Sequence, residues 1–282
     1  HQMKKKIILL GSNGFFGKNL INFFQKKFFI KKIYRGDSIE KINFKNYHFI
    51  INAAADVYNE KSMFKNNTEL VSDILHKIIK ENTRIRLIHF GSSGEYGAVN
   101  KKSKEDDLIV PRTVYEGTKA AATMLVQSYS KNFKIKSIII RPFSIYGIHE
   151  NKTRIMPNIF RHFLNNQKLN IYDGFHDYVY IDDLVLFINK LITDNRIKNY
   201  GEIVNFGSGK QFSNLEILNF CEEVLKKKSK ARYIPGFKKI YDKKIWCSNN
   251  SYLLKNFNFK LKYSIKNGIH DYIKKYMLNK II

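Results

Sequence analysis

Lys6-Ile7-Ile8-Leu9-Leu10-Gly11-Ser12-Asn13-Gly14-Phe15-Phe16-Gly17 decides the fold class. Ile7 to Leu10 is a continuous apolar run, as a parallel strand buried on both faces requires. The spacing Gly11-x-x-Gly14-x-x-Gly17 then allows a tight turn and a close backbone approach to a pyrophosphate. Leu20, Ile21, Phe23, Phe24 and Phe28 continue at helical spacing, so a helix N-terminus faces that turn and favours negative charge there. A plain glycine-rich turn is the blander reading, and the strand–turn–helix setting argues against it.

Outward from this unit the alternation continues. Ile30–Tyr34 is a weak second strand, and Phe49–Ala54 and Ile85–Phe90 are buried ones. Leu70, Ile74, Leu75, Ile78 and Ile79 mark a helix. Val114–Lys131 is another, followed by a strand over Ile135–Arg141. Strand and helix in turn predict an α/β protein with a Rossmann-type doubly wound parallel sheet. After Gly147 the pattern loosens. Residues 148–176 read as one helix, Pro157–Asn165, and then loop. Asp177–Ile181 and Ile203–Phe206 read as strands around a helix at Leu184–Ile192. Residues 213–282 carry short helices and a strand near Arg232-Tyr233-Ile234. The expected organisation is a dinucleotide-binding domain over 1–147 with a return segment 177–206. A smaller substrate-binding domain would comprise 148–176 and 207–282.

The 282 residues allow roughly two units, and the 44% apolar content excludes wholesale disorder. Fifty Lys and Arg against 24 Asp and Glu leave a net charge of +26, which favours anionic partners. The lysines are scattered and form no basic stripe interleaved with aromatics, so a nucleic-acid partner is not expected. No apolar run approaches the roughly 20 residues of a membrane span. The run after Lys4-Lys5-Lys6 stops at Gly11, too short for a secretion signal. The expectation is a cytoplasmic protein without membrane insertion. Cys221 and Cys247 have neither CxxC nor metal spacing, so neither a disulfide framework nor a metal site is expected. His1-Gln2 before Met3 reads as an expression remnant.

Tyr115-Glu116-Gly117-Thr118-Lys119 places Tyr115 and Lys119 on one helix face. An ammonium near a phenol favours the phenolate and makes it usable in proton transfer near neutral pH. Taken alone, an amphipathic surface pair is the plainer reading. Its place after a strand ending Gly91-Ser92-Ser93 shifts the weight, because a serine at a strand's carboxyl end can face the ligand crevice. At the end of the second strand stands Arg35, 18 residues beyond Gly17. An Arg there suits the extra phosphate of NADP, while the neighbouring Asp37 leaves NAD open. NADP(H) is therefore the expected cofactor and NAD(H) the alternative.

In this order the segments resemble the extended short-chain dehydrogenase/reductase superfamily and, within it, the NAD(P)-dependent nucleotide-sugar epimerase/dehydratase family. The resemblance rests on the glycine turn, on Asn52-Ala53-Ala54-Ala55 with Asn67 heading the next helix, and on Ser92 four residues before Tyr96-Gly97. Tyr115 and Lys119 match YxxxK, and Arg141-Pro142-Phe143-Ser144-Ile145-Tyr146-Gly147 resembles RPxNxYG. Asp177 to Leu184 resembles RDFxYVDDL, and Asn205-Phe206-Gly207-Ser208-Gly209 with Ser213 and Glu216 resembles NxGSG…S..E.

The resemblance implies that Ser92 hydrogen-bonds a sugar oxygen, Tyr115 exchanges the proton and Lys119 holds the nicotinamide ribose. It assigns Gly11, Asn13, Gly14, Phe15, Phe16, Gly17, Ala53 and Ala54 to the cofactor, with Pro142 and Phe143 bordering the nicotinamide. Ser93, Gly94, Ser144, Arg154 and His176 would meet a nucleotide-diphosphate sugar, with His176 in place of the RDF arginine. The Tyr115 helix is small and apolar at Ala120, Ala121, Ala122, Met124, Leu125 and Tyr129, which with the resemblance implies a homodimer through that helix; burial inside one subunit is the alternative.

Three departures from the family pattern narrow the reaction. Dehydratases of the family usually carry an Asp-Glu or Ser-Glu pair where Ser93 and Gly94 stand, and Glu95 comes one place late. Fucose-synthase-type epimerase-reductases carry a Cys and a His where Gly94 and Arg154 stand. Galactose-type 4-epimerases carry an acid at the second strand, where Arg35 stands. The expectation that remains is NADPH-dependent reduction of the C4 ketone of a nucleotide-linked 4-keto-6-deoxysugar. A 4-epimerase with tightly bound NAD is the alternative, and a non-catalytic nucleotide-binding protein of the same fold is a third reading.

Overall fold

The computed structural model describes residues 4–81, 83–194, 196–238 and 244–278, so His1-Gln2 lies outside them. In chain order the first elements are β1 (Lys6–Leu10), α1 (Phe15–Phe24), β2 (Phe29–Ile33), β3 (Phe49–Asn52), α2 (Glu60–Met63), α3 (Leu70–Lys80), β4 (Arg86–Phe90), α4 (Val114–Phe133) and β5 (Ser137–Pro142). There follow β6 (Ser144–Tyr146), α5 (Ile155–Asn165), β7 (Asn170–Asp173), β8 (Phe175–His176), β9 (Tyr178–Tyr180), α6 (Ile181–Thr193) and β10 (Tyr200–Phe206). The chain closes with β11 (Phe212–Ser213), α7 (Asn214–Leu225), β12 (Arg232–Phe237), α8 (Ser251–Phe257) and α9 (Ile265–Leu278). Two compact units result. The first comprises His1–Gly97, Glu105–Pro142 and Val185–Asn205, and the second Ala98–Lys104, Phe143–Leu184 and Phe206–Ile282.

In the first unit six strands form one sheet in the order β10-β5-β4-β3-β1-β2. Neighbours from β2 to β5 pair in parallel, with Leu10 opposite both Ile33 and Asn52. This is the doubly wound Rossmann-type sheet, and its order reverses between β1 and β3, where a ligand crevice forms outside the strands' carboxyl ends. Ile8, Leu10 and Ile50 pack on Ile74 and Leu75 of α3 and Val126 of α4, all fully buried. Each such side chain contributes about 1.5–3 kcal/mol through burial. β2 reads weakly in sequence because it is the edge: Phe29, Lys31 and Lys32 face solvent, and lysines there discourage pairing with other chains.

Two local expectations are corrected. Asn67 does not head a helix: the helical run starts at Glu60 and passes through a π-helical segment, Phe64–Glu69, before α3. A π insertion of this kind re-aims side chains. Residues 166–176 are not plain loop, because they hold β7 and β8, of four and two residues, too short to show periodicity.

The second unit holds three two-stranded pairings: β6 with β9 and β7 with β12 in parallel, β8 with β11 antiparallel. Its core is aromatic. The Tyr146 ring lies 5.4 Å from Tyr180, and Phe160 lies 4.8 Å from Tyr272. A Cβ on Gly268 of α9 would fall 2.0 Å from the Tyr146 hydroxyl, so only glycine lets that helix approach. Among the described residues no helix is long and apolar enough to cross a membrane.

Candidate active site

The glycine turn is built by backbone contact. Gly11 has φ +76°, and a Cβ there would lie 2.6 Å from the Ala53 and Ala54 backbone. The end of β1 can touch the end of β3 only through glycine. The Gly14 N–H donates to the Gly11 carbonyl at 2.9 Å, and a Cβ on Gly17 would lie 2.1 Å from that same oxygen. α1 then starts with no side-chain cap and no acid in its first turn. Such a start presents backbone N–H groups to an anion, so these residues fit a dinucleotide's pyrophosphate. Asn13 and Gly14 are exposed, and Phe15, Ala53 and Ala54 are half-buried. The Phe16 ring leans on Phe90 at 4.9 Å, fixing the helix start to β4.

Arg35 follows β2, exposed, with Nη1 3.5 Å from the buried Asp56 carboxylate. Burial pushes the Asp56 carboxyl up. Hydrogen bonds from Ser62, Asn59 and Asn66, with the Arg35 charge, outweigh burial and hold it below its usual range. Asp37 accepts the Tyr34 N–H at 2.8 Å and closes the turn.

Ser92 leaves β4 as the cap of a short 3-10 turn, Ser93–Tyr96. Its Oγ accepts the Gly94 N–H at 3.0 Å, and its own N–H donates to Glu95 at 2.8 Å. α4 begins the same way: Thr113 caps Glu116, and the Glu116 side chain reaches back to the Thr113 N–H. This capping box sets where the helix starts, and so places half-buried Tyr115 in the first turn and Lys119 one turn on. Lys119 is buried, with Nζ donating to the Phe90 carbonyl, and burial pushes its pKa down to about 8. Ser93 and Gly94 are buried beside α4, where a Cβ on Gly94 would meet Glu116 at 3.1 Å.

Of the residues that hold this arrangement, sequence reasoning named Asn67 but not its contacts, and missed His89. Asn67 accepts the Asp56 N–H at 2.6 Å and donates to the Asp56 carbonyl and to Thr118 Oγ1, one residue before Lys119. His89 of β4 faces Asn52 at 3.3 Å, and its Nε2 is buried without a partner. Burial, then the Lys119 charge, pushes His89 well below its usual range, so it is neutral. The signal for Asn67 was the polar run Asn66-Asn67-Thr68 inside an otherwise helical stretch. For His89 it was one imidazole in an apolar strand.

In the second unit Phe143 is buried and donates its N–H to Phe206 at 3.0 Å. Pro142 closes β5 in the first, half-buried. Ser144 Oγ lies 3.1 Å from His176 Nδ1, and the His176 ring lies 5.4 Å from Trp246. Arg154 caps α5 and pairs with buried Glu150 at 3.4 Å. Asp177 accepts from the Ser208, Gly209 and Ser248 backbones and from both serine hydroxyls, so it anchors the Gly207–Gly209 turn. Ser213 and Glu216 form a third capping box, on α7.

A model of the NAD dependent epimerase/dehydratase family matches residues 7–207. The chain belongs to that family. It is 27% identical over 265 residues to the dTDP-D-glucose 4,6-dehydratase of Dictyostelium discoideum, covering 76% of this chain and 60% of that protein. The family member described here therefore spans less than two thirds of that relative. Among solved structures it resembles a dTDP-glucose 4,6-dehydratase from Bacillus anthracis in complex with NAD, with TM-score 0.84 and 20% identity over 98% of each chain. It also resembles a UDP-glucuronic acid 4-epimerase from Bacillus cereus in complex with UDP-glucuronic acid and NAD. That match has TM-score 0.81 and 21% identity, over 96% of this chain and 99% of the other.

These findings correct two expectations. The relatives are dehydratases and epimerases, and the solved ones hold NAD, which overturns both the NADPH-dependent 4-ketoreductase and the preference for NADP(H). The physical reason lies in Arg35. Its guanidinium has a carboxylate of the chain itself, Asp56, within 3.5 Å, so an arginine at that position does not by its presence call for a 2′-phosphate.

Proposed function

We propose that this family member is an NAD-dependent nucleotide-sugar 4-epimerase that keeps its cofactor bound. The observation that carries the reading is the turn after β4. Gly94 stands where the Asp-Glu or Ser-Glu pair of an eliminating enzyme has its glutamate, and Glu95 is fully buried, 2.8 Å from Arg141. Without that glutamate the turn lacks the acid–base group that elimination of water uses. Reversible oxidation at C4 needs one proton acceptor and a hydride acceptor.

NAD, when bound, supplies the hydride acceptor and returns the hydride. The Gly11–Gly17 turn and the start of α1 would hold its pyrophosphate, with Ala53 and Ala54 beside it. Tyr115 as phenolate takes the C4 hydroxyl proton and gives it back once the C4 face has inverted. Lys119 stabilises that phenolate by its charge. Ser92 donates a hydrogen bond to the sugar oxygen at which charge develops. One hydride and one proton leave and return, so the reaction is redox-neutral. Within the second unit Arg154, Ser144 and His176 are the proposed contacts for the diphosphate, an anion that a guanidinium matches.

The working form is proposed to be a homodimer. Ala120 and Ala122 of the expected face are buried within the chain's own core, whereas Val114, Gly117, Ala121 and Met124 follow one another along α4 at intervals of three and four residues. Val114 is 48% and Met124 59% exposed, with open space beside Gly117. Light scattering should give twice the chain mass, and a single-chain mass at micromolar concentration contradicts the dimer.

The test of function is incubation of the purified protein with UDP-, dTDP-, CDP- and GDP-hexoses and no added cofactor, read by NMR. A C4 epimer from one of them is expected. A 4-keto-6-deoxy product makes the enzyme a dehydratase, and turnover only with added NADPH defeats the proposal.

A further inference from the structure

Glu95 serves neither the cofactor cradle nor the proton transfer, yet hydrogen bonds from three different segments converge on its carboxylate. Its Oε1 accepts the Ser92 N–H at 2.8 Å and the Thr123 hydroxyl at 2.9 Å. Its Oε2 accepts Arg141 Nε at 2.8 Å. One carboxylate thus joins the turn after β4, the middle of α4 and the end of β5. Thr123 follows Lys119 by four residues and Tyr115 by eight, so all three share one face of α4.

The far side of the clamp is also fixed. Arg141 Nη1 donates to the Tyr96 hydroxyl at 2.9 Å and to the Glu105 carbonyl at 3.2 Å, and its guanidinium lies 4.7 Å from the Tyr96 ring centre. The Tyr96 hydroxyl donates to Asn205 at 2.7 Å. The backbone makes room for the arrangement: a Cβ on Gly91 would lie 2.6 Å from Glu95 Oε1 and 3.0 Å from Thr123 Oγ1. Any side chain at 91 would displace the carboxylate.

We infer that Glu95 is a positioning residue, whose carboxylate sets the register of Ser92 against the helix face that carries Tyr115 and Lys119. It touches no substrate and works through the Ser92 backbone. Charge-assisted hydrogen bonds are the short, strong ones, and a buried group satisfied on all sides holds a single geometry. A shift of about 1 Å in a catalytic group can cost about 100-fold in rate. This inference rests on the catalytic reading of Ser92 given above.

Two variants test it, Glu95→Gln and the milder, near-isosteric Thr123→Val. In both, amide exchange followed by NMR should be at least about tenfold faster at Ser92, with Ile88 and Ile139 unchanged. On a turned-over sugar nucleotide, Thr123→Val should lower kcat about tenfold at constant KM and constant bound NAD. Placed on Ser92→Ala, the same change should alter kcat by less than about twofold, because its effect runs through that serine. Unchanged Ser92 exchange in both variants overturns the inference whether or not the enzyme turns over. So does an equal kcat loss with and without Ser92, which marks a merely structural role. Wild-type protein inactive on every sugar defeats the epimerase reading alone, and the exchange result still decides the clamp.

Discussion

Glu95 in the first unit and Glu150 in the second are both buried and both face an arginine, but the two arginines differ. Arg141 is 3% exposed and 2.8 Å from Glu95, while Arg154 is 39% exposed and 3.4 Å from Glu150. Glu95 also receives the Ser92 N–H and the Thr123 hydroxyl. Glu150 receives the Gly147 N–H at a longer 3.3 Å and a hydrogen bond from Tyr272. Burial pushes both carboxyls up. In the first unit a desolvated cation opposes that push at full strength. In the second a solvent-screened cation opposes it weakly, and Glu150 rises to about 7. The same residue pair is held by three close donors in one place and by fewer, longer bonds in the other, and the cation opposes burial less well where solvent screens it.

The largest effect should come from removing the buried cation. Arg141→Met strands a charge in the interior and should cost about 3–5 kcal/mol. Arg154→Met should cost no more than about 1 kcal/mol, since Arg154 is itself screened by solvent. Urea unfolding measures both, and equal losses would erase the contrast. The second effect is on pH. With a folded pKa near 7 against an unfolded value of 4.5, Glu150 keeps its proton where the unfolded chain has lost it. Its contribution to stability is therefore full below 4.5, falls as pH rises to about 7 and is flat above. A shift of that size is worth roughly 3 kcal/mol. Wild type should lose about that much more stability than Glu150→Gln between pH 4.5 and 8, and parallel profiles would contradict the assignment. The smallest effect is at Arg35. Arg35→Ala should change stability by less than about 0.5 kcal/mol and leave bound NAD unchanged. Loss of NAD from that variant would return Arg35 to the cofactor site.

The legible and illegible parts of the sequence divide along the same physical line. The Gly11, Gly14 and Gly17 turn could be read because each glycine answers a backbone contact within the strand–turn–helix unit or its neighbouring strand. That Tyr115 and Lys119 share one helix face could be read because helical spacing alone puts them there. Arg35 misled because its partner, Asp56, lies 21 residues on, after a different strand. The sequence shows an arginine at the right distance from a glycine turn, and only the fold shows what the guanidinium faces. Asn67 was misplaced by a single π-helical segment, which leaves no periodic trace. Glu95 could be seen to miss the acid position of a dehydratase. That it binds Ser92, Thr123 and Arg141 together depends on three elements brought side by side by the sheet.

The central claim is that hydride leaves C4 of a nucleotide sugar and returns to C4, with Tyr115 moving the proton. The direct measurement is turnover of a nucleotide hexose deuterated at C4, in ordinary water, with the product read by NMR. An epimerase retains deuterium at C4 of the inverted sugar, at a rate that Tyr115→Phe lowers by about 10²–10⁴-fold. Deuterium moved to C6 would make the enzyme a dehydratase, and deuterium lost from the sugar to free cofactor would rule out return of the hydride to C4.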